Sequence, residues 1–122
     1  MKITGLNHAN ITVPCGAEDE ARRFYCQLLG LTEVGKPDAL KLNGGLWVMA
    51  GTMPVHIGVE DGVLRHKTKV HLAYEVDDLA SWQAHLQQAG IEAQPNTPFP
   101  GYVRIMLRDP FGTRVELIQA TG

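Results

Sequence analysis

Apolar and polar residues alternate over residues 3–13, "ITGLNHANITV", and β-branched types dominate. A period of two with that composition predicts a strand, which Pro14 and Gly16 end. The period then changes. In "AEDEARRFYCQLLG" the apolar positions Ala21, Phe24, Tyr25, Leu28 and Leu29 form one stripe. Acidic residues occupy the first turn and Gly30 follows the last, which predicts a helix. Short strands are expected at about 31–35, 39–42, 45–50 and 54–59. The polar stretch 60–68, "EDGVLRHKT", reads as a connection. The pattern then starts again. A strand is expected at 69–76 and a helix at about 78–89 ending at Gly90, followed by the proline-rich loop "QPNTPFPG". The strands "YVRIMLR" and "TRVELIQ" come last, joined by a turn at "DPFG".

The second half therefore repeats the first. "LLGLTE" (28–33) aligns with "QAGIEA" (88–93), and "GTMPVHIGV" (51–59) with "GTRVELIQ" (112–119). Each half reads β-α-β-β-β, with module one at about 1–60 and module two at about 69–120. His8 and His71 hold the same place in the two copies, as do His56 and Glu116. Alternation across strands assigns their face. Ala9, Ile11, Val13, Val55, Ile57, Leu72, Tyr74, Ile105, Leu107, Val115 and Leu117 face the helices. His8, Asn10, His56, His71, Glu75, Arg104 and Glu116 face the other way, together with Trp47, Met49, Tyr102 and Met106. The fold class is α+β: two β-α-β-β-β modules forming a cupped, partly open barrel-like sheet with helices on the outside.

The chain has 122 residues, 44% of them hydrophobic and 20% charged, so one ordinary globular domain spanning 1–122 accommodates it. A net charge of −2 without a basic block argues against a nucleic-acid partner. No apolar run is long enough to span a membrane, and the first residues lack the apolar stretch of a signal peptide, so a cytoplasmic protein is expected. Cys15 and Cys26 form no CxxC pair and read as ordinary thiols.

Imidazoles and a carboxylate on one mixed face suit a divalent ion such as Zn, Ni, Fe or Mn. His8, His71, Glu116 and His56 are the candidate ligands. Arg104 is a candidate clamp for a substrate carboxylate or phosphate, or else a partner of a glutamate. Trp47, Tyr102, Met106 and Asn10 are candidate pocket walls. Glu75 reads as a rim carboxylate, and His66 and His85 as solvent residues.

The segments "GLNHANITV", "FYCQLLGL", "KVHLAYEVDDL" and "DPFGTRVELIQ", with the repeat, resemble the vicinal oxygen chelate superfamily. That superfamily includes glyoxalase I, fosfomycin-resistance enzymes, extradiol dioxygenases and bleomycin-resistance proteins. The resemblance implies metal binding by His8, His71 and Glu116, with Glu116 also catalytic. His56 stands where glyoxalase I has a glutamate. It implies a metal-dependent lyase or isomerase acting on a small oxygen-rich substrate by Lewis-acid activation. An antibiotic-binding protein or a small extradiol-type dioxygenase is the alternative. It further implies a homodimer whose sites draw His8 and His56 from one chain and His71 and Glu116 from the other, or else an in-chain pairing of the modules.

Overall fold

The computed structural model describes residues 1–122, which form two compact units, Met1–Val63 and Leu64–Gly122. The first unit contains strands β1 (Ala9–Val13), β2 (Thr32–Val34), β3 (Leu46–Ala50) and β4 (Met53–Val59), with helix α1 (Glu18–Ala21) after β1. The second contains β5 (His71–Glu75), helix α2 (Leu79–Gln88), β6 (Gln94–Pro95), β7 (Tyr102–Arg108) and β8 (Arg114–Ala120). The strand order is β1-β4-β3-β2 in one sheet and β5-β8-β7-β6 in the other. In each, the first strand lies parallel to the last and the remaining pairs are antiparallel. The α+β class and the twofold β-α-β-β-β plan read from the sequence are thus present.

The register shows why the two halves fold alike. In the first sheet Leu46 lies opposite Ile57 and Val48 opposite Val55. In the second, Ile105 lies opposite Leu117 and Leu107 opposite Val115. All eight side chains are buried, at 3% exposure or less. These cross-strand apolar pairs fix the register, because a slip of one residue would turn every one of them outward. Ala21, Phe24, Tyr25 and Leu29 complete the first core, and Leu79 and Leu86 the second.

Helix α2 follows its local signals closely. The Asp78 side chain accepts hydrogen bonds from the backbone N–H and the hydroxyl of Ser81. Beyond the other end Gly90 takes φ +74, and the Ile91 N–H donates to the Leu86 carbonyl in a Schellman closure. The first helix departs from expectation. After one α turn it continues as a π-helix over Arg22–Leu28, with the Leu29 N–H reaching the Phe24 carbonyl. Buried Ala21, Tyr25 and Leu29 recur every fourth residue, a spacing that drifts around a 3.6-residue turn. The wider π turn keeps them in line.

Two expected strands are corrected. Residues 39–42 form no strand: Asp38–Asn43 is a 3₁₀ helix. Pro37 starts it, an Asp38–Lys41 ion pair spans its first turn, and Gly44 (φ +73) ends it. Leu42 is 98% exposed, since no neighbouring strand offers it a partner. The first strand also shrinks from 3–13 to Ala9–Val13. Its pairing with β4 begins at Ala9 opposite Val55, and the residue before Val55 is Pro54, which has no N–H for a ladder.

Leu86 has no exposed surface, so Leu86→Ala should lower unfolding stability by about 2–5 kcal/mol in denaturant titration. At Gly45, φ is +80 and a Cβ would lie 2.1 Å from the Ile57 carbonyl oxygen. Gly45→Ala should therefore destabilise the protein well beyond the few tenths to 1 kcal/mol, roughly, of an ordinary surface change at a glycine.

Candidate functional site

The same alternation that buries the apolar pairs sends the intervening side chains to the opposite face. In the first unit His56 lies opposite both Asn10 on β1 and Trp47 on β3. In the second, Glu116 lies opposite Ala73 on β5 and Met106 on β7. His56 and Glu116 therefore occupy corresponding places in the two sheets, as the repeat predicts. His71 opens β5, and His8 directly precedes β1.

The first unit brings three rings together. The Trp47 and His56 rings are stacked at 3.8 Å and 3°, and the His8 and His56 rings at 4.1 Å and 21°. Imidazole lone pairs lie in the ring plane. The His8 and His56 planes intersect only on the order of 10 Å away, whereas a metal–nitrogen bond is about 2 Å. One of the two rings would have to turn before both could reach the same ion. Burial among these rings, together with the nearby His8 and Lys36, pushes the His56 imidazole below its usual pKa.

In the second unit the Glu116 carboxylate is buried, with 4% of its side chain exposed. Its two oxygens have different neighbours. Oε1 accepts a hydrogen bond from Arg104 Nη1 at 2.7 Å, and Oε2 lies 4.0 Å from His71 Nε2. Arg104 is held further by Nε donating to the Thr97 carbonyl at 2.9 Å, and its guanidinium lies 5.0 Å from the centre of the Phe99 ring. Of the two roles open to Arg104 from sequence, the guanidinium here makes the glutamate pairing.

The repeated histidines share one further feature. His8 Nδ1 lies 2.8 Å from Asn7 Oδ1, and His71 Nδ1 lies 2.8 Å from the Lys69 carbonyl. Both partners are oxygens that accept, so Nδ1 is the donor, and in the neutral ring the lone pair is left on Nε2. Asn7 and the Lys69 carbonyl were not singled out from the sequence. The "NH" dipeptide at 7–8 offered a faint signal for the first; a backbone carbonyl offers none.

The remaining candidates are placed as follows. Asn10 is exposed and donates to the Ile11 carbonyl. Tyr102 is 36% exposed and its ring lies 5.3 Å from that of Phe99. Met106 is half-buried, and Glu75, His66 and His85 are exposed. The structure brings the four proposed ligands together two by two, His8 with His56 and His71 with Glu116. It contains no group of three or more His, Cys, Asp and Glu side chains placed to hold an ion. No helix is long and apolar enough to cross a membrane.

These features define an α+β protein of two repeated units, each presenting imidazole or carboxylate groups on the sheet face away from its helix. The chain belongs to the Glyoxalase/Bleomycin resistance protein/Dioxygenase superfamily, whose family model matches residues 5–117. A curated relative, Glyoxylase I 4 of Arabidopsis thaliana, is 24% identical over 96% of this chain and 71% of its own length. The crystal structure of a glyoxalase family protein from Bacillus anthracis matches with a TM-score of 0.91 at 35% identity, covering 99% of this chain and 98% of that one. A fosfomycin resistance protein from Listeria monocytogenes, a mutant complexed with Mn(II) and 1S,2S-dihydroxypropylphosphonic acid, shares the fold. Its TM-score is 0.80 at 17% identity, over 98% of this chain and 95% of that one.

Because the folded state disfavours protonated His56, the unfolded chain takes up that proton first as pH falls below about 6.5. The His56 contribution to stability should be full above that pH and decline below it. NMR titration should find His56 protonating at lower pH than a free imidazole, and His56→Phe should remove this part of the acid destabilisation.

Proposed function

We propose that this protein is a metal-dependent enzyme of the glyoxalase-like type, a lyase or isomerase acting on a small oxygen-rich substrate. The observation that carries this reading is the His71–Glu116 pair. A protonated Nδ1 anchored on a backbone carbonyl leaves His71 Nε2 facing a buried carboxylate oxygen. That is the donor chemistry of a catalytic divalent site, where the imidazole is oriented through its other nitrogen. His8, with the same tautomer fixed by Asn7, supplies the third donor. Zn, Ni, Fe or Mn suits two imidazoles and a carboxylate. Mn(II) in the Listeria relative supports a divalent ion in this fold.

A bound ion would supply Lewis-acid polarisation of a substrate oxygen. The chain supplies the rest. With Nδ1 bonded to an acceptor oxygen, His8 and His71 each present Nε2, and Glu116 is the carboxylate that would hold the ion or exchange a proton. His56, stacked between His8 and Trp47, acts as a wall of the substrate pocket in this arrangement, with Asn10, Tyr102 and Met106 as further walls. A neutral ring at position 56 leaves Glu116 as the carboxylate for proton transfer, which disfavours glyoxalase I chemistry requiring two.

We further propose a homodimer in which each site draws His8 from one chain and His71 and Glu116 from the other, as the superfamily resemblance implies. Protein purified without a chelating tag should bind about one divalent ion per chain. Glu116→Gln should weaken binding by an order of magnitude or more, because it removes an anionic donor. Wild-type protein that takes up none of Zn²⁺, Ni²⁺, Mn²⁺ or Fe²⁺ would instead support a binding protein whose histidines line a drug pocket. Oxygen uptake with catechols in the presence of Fe²⁺ would mark a dioxygenase. If sites are shared across a dimer, mixing His8→Ala with Glu116→Gln chains should regenerate one intact site per mixed dimer. No recovery of metal binding on mixing would count against sharing.

A further inference from the structure

We propose that Arg104 is a positioning residue: the resident counter-ion of Glu116, which holds one carboxylate oxygen and so limits Glu116 to a single oxygen for an incoming cation. This rests on the metal-site reading of Glu116 for its second half only.

The first support is burial. Glu116 is 3% exposed, and a carboxylate taken from water needs a compensating charge and filled hydrogen bonds. Arg104 Nη1 supplies both to Oε1 at 2.7 Å, leaving Oε2 turned to His71. The second support is the fixing of the guanidinium itself. Its Nε is bonded to the Thr97 carbonyl and its plane lies by the Phe99 ring, so it is anchored independently of Glu116.

The third support comes from the internal repeat. Arg104 stands two residues before Met106, which lies opposite Glu116. In the first unit Gly45 stands two residues before Trp47, which lies opposite His56. The unit with a carboxylate thus carries an arginine, and the unit with a neutral imidazole carries a glycine at the corresponding place. The glycine place has no room for a side chain, since a Cβ there would meet the Ile57 carbonyl at 2.1 Å. Charge is matched within each unit: anion with cation, neutral ring with no partner.

Arg104 and a metal ion would therefore compete for one carboxylate. Arg104 stabilises the metal-free protein and opposes the ion through like charge.

The test is a double-mutant cycle with two readouts. Without metal, Arg104→Met should lower the melting temperature. Adding Glu116→Gln to that variant should recover much of the loss, because the orphaned charge is gone. With Zn²⁺, chelator competition should show Arg104→Met binding about tenfold tighter than wild type, and Arg104→Lys, which keeps the charge, close to wild type. If Arg104→Met does not fold, folding of the Arg104→Met/Glu116→Gln chain is itself the expected rescue. Failure of Glu116→Gln to rescue, or weaker Zn²⁺ binding by Arg104→Met, would overturn the assignment. Wild-type protein that binds no ion would refute the metal reading, and the metal-free cycle would still decide whether Arg104 is the counter-ion.

Discussion

The strict alternation of side chains across paired strands is the constraint on which everything else in this protein depends. Four cross-strand apolar pairs, two in each sheet, lock the register by burying Leu46, Val48, Val55 and Ile57 in one unit and Ile105, Leu107, Val115 and Leu117 in the other. Once those residues face a helix, the residues between them have no choice of face. His56 and Trp47 are placed opposite one another, and Glu116 and Met106 likewise. The chemistry-bearing side chains are thus positioned by packing of their neighbours, and a substitution in the apolar pairs would reach them through the register.

The two units use this common frame for different electrostatics. The first stacks His56 between His8 and Trp47, where burial, with His8 and Lys36 nearby, favours the neutral form of His56. The second collects opposite charges around a buried carboxylate. Duplication of a fold gives both copies the same positions; the side chain at each position then sets how much charge the position must manage. At Gly45, the counterpart of Arg104, the backbone itself excludes a side chain, since a φ of +80 would aim a Cβ at the Ile57 carbonyl.

A glyoxalase family protein at 35% identity and a fosfomycin resistance protein at 17% share this fold, so the fold alone does not select a reaction. What distinguishes this chain is local: the tautomers set by Asn7 and the Lys69 carbonyl, the ring stack at His56, and the divided carboxylate of Glu116.

Strand periodicity and the repeat were written plainly enough in the sequence to determine the α+β class, the β-α-β-β-β order and the opposed places of His56 with Trp47 and of Glu116 with Met106, because a period of two leaves no freedom about which side a strand residue takes. The turn at "DPFG" was legible for the same local reason: Asp109 accepts from the N–H groups of Phe111 and Thr113. Other features needed partners distant in the chain. The first strand begins only at Ala9, where its pairing with the neighbouring strand starts just after Pro54, residues 38–43 coil because no strand lies beside them, and the first helix widens to keep its buried stripe aligned. The sequence likewise left Arg104 open between substrate and glutamate, and His56 open between ligand and wall. Tertiary structure placed Arg104 on Glu116 and stacked His56 on its neighbours, because only folding decides which charge a buried carboxylate meets and which ring lies flat on another.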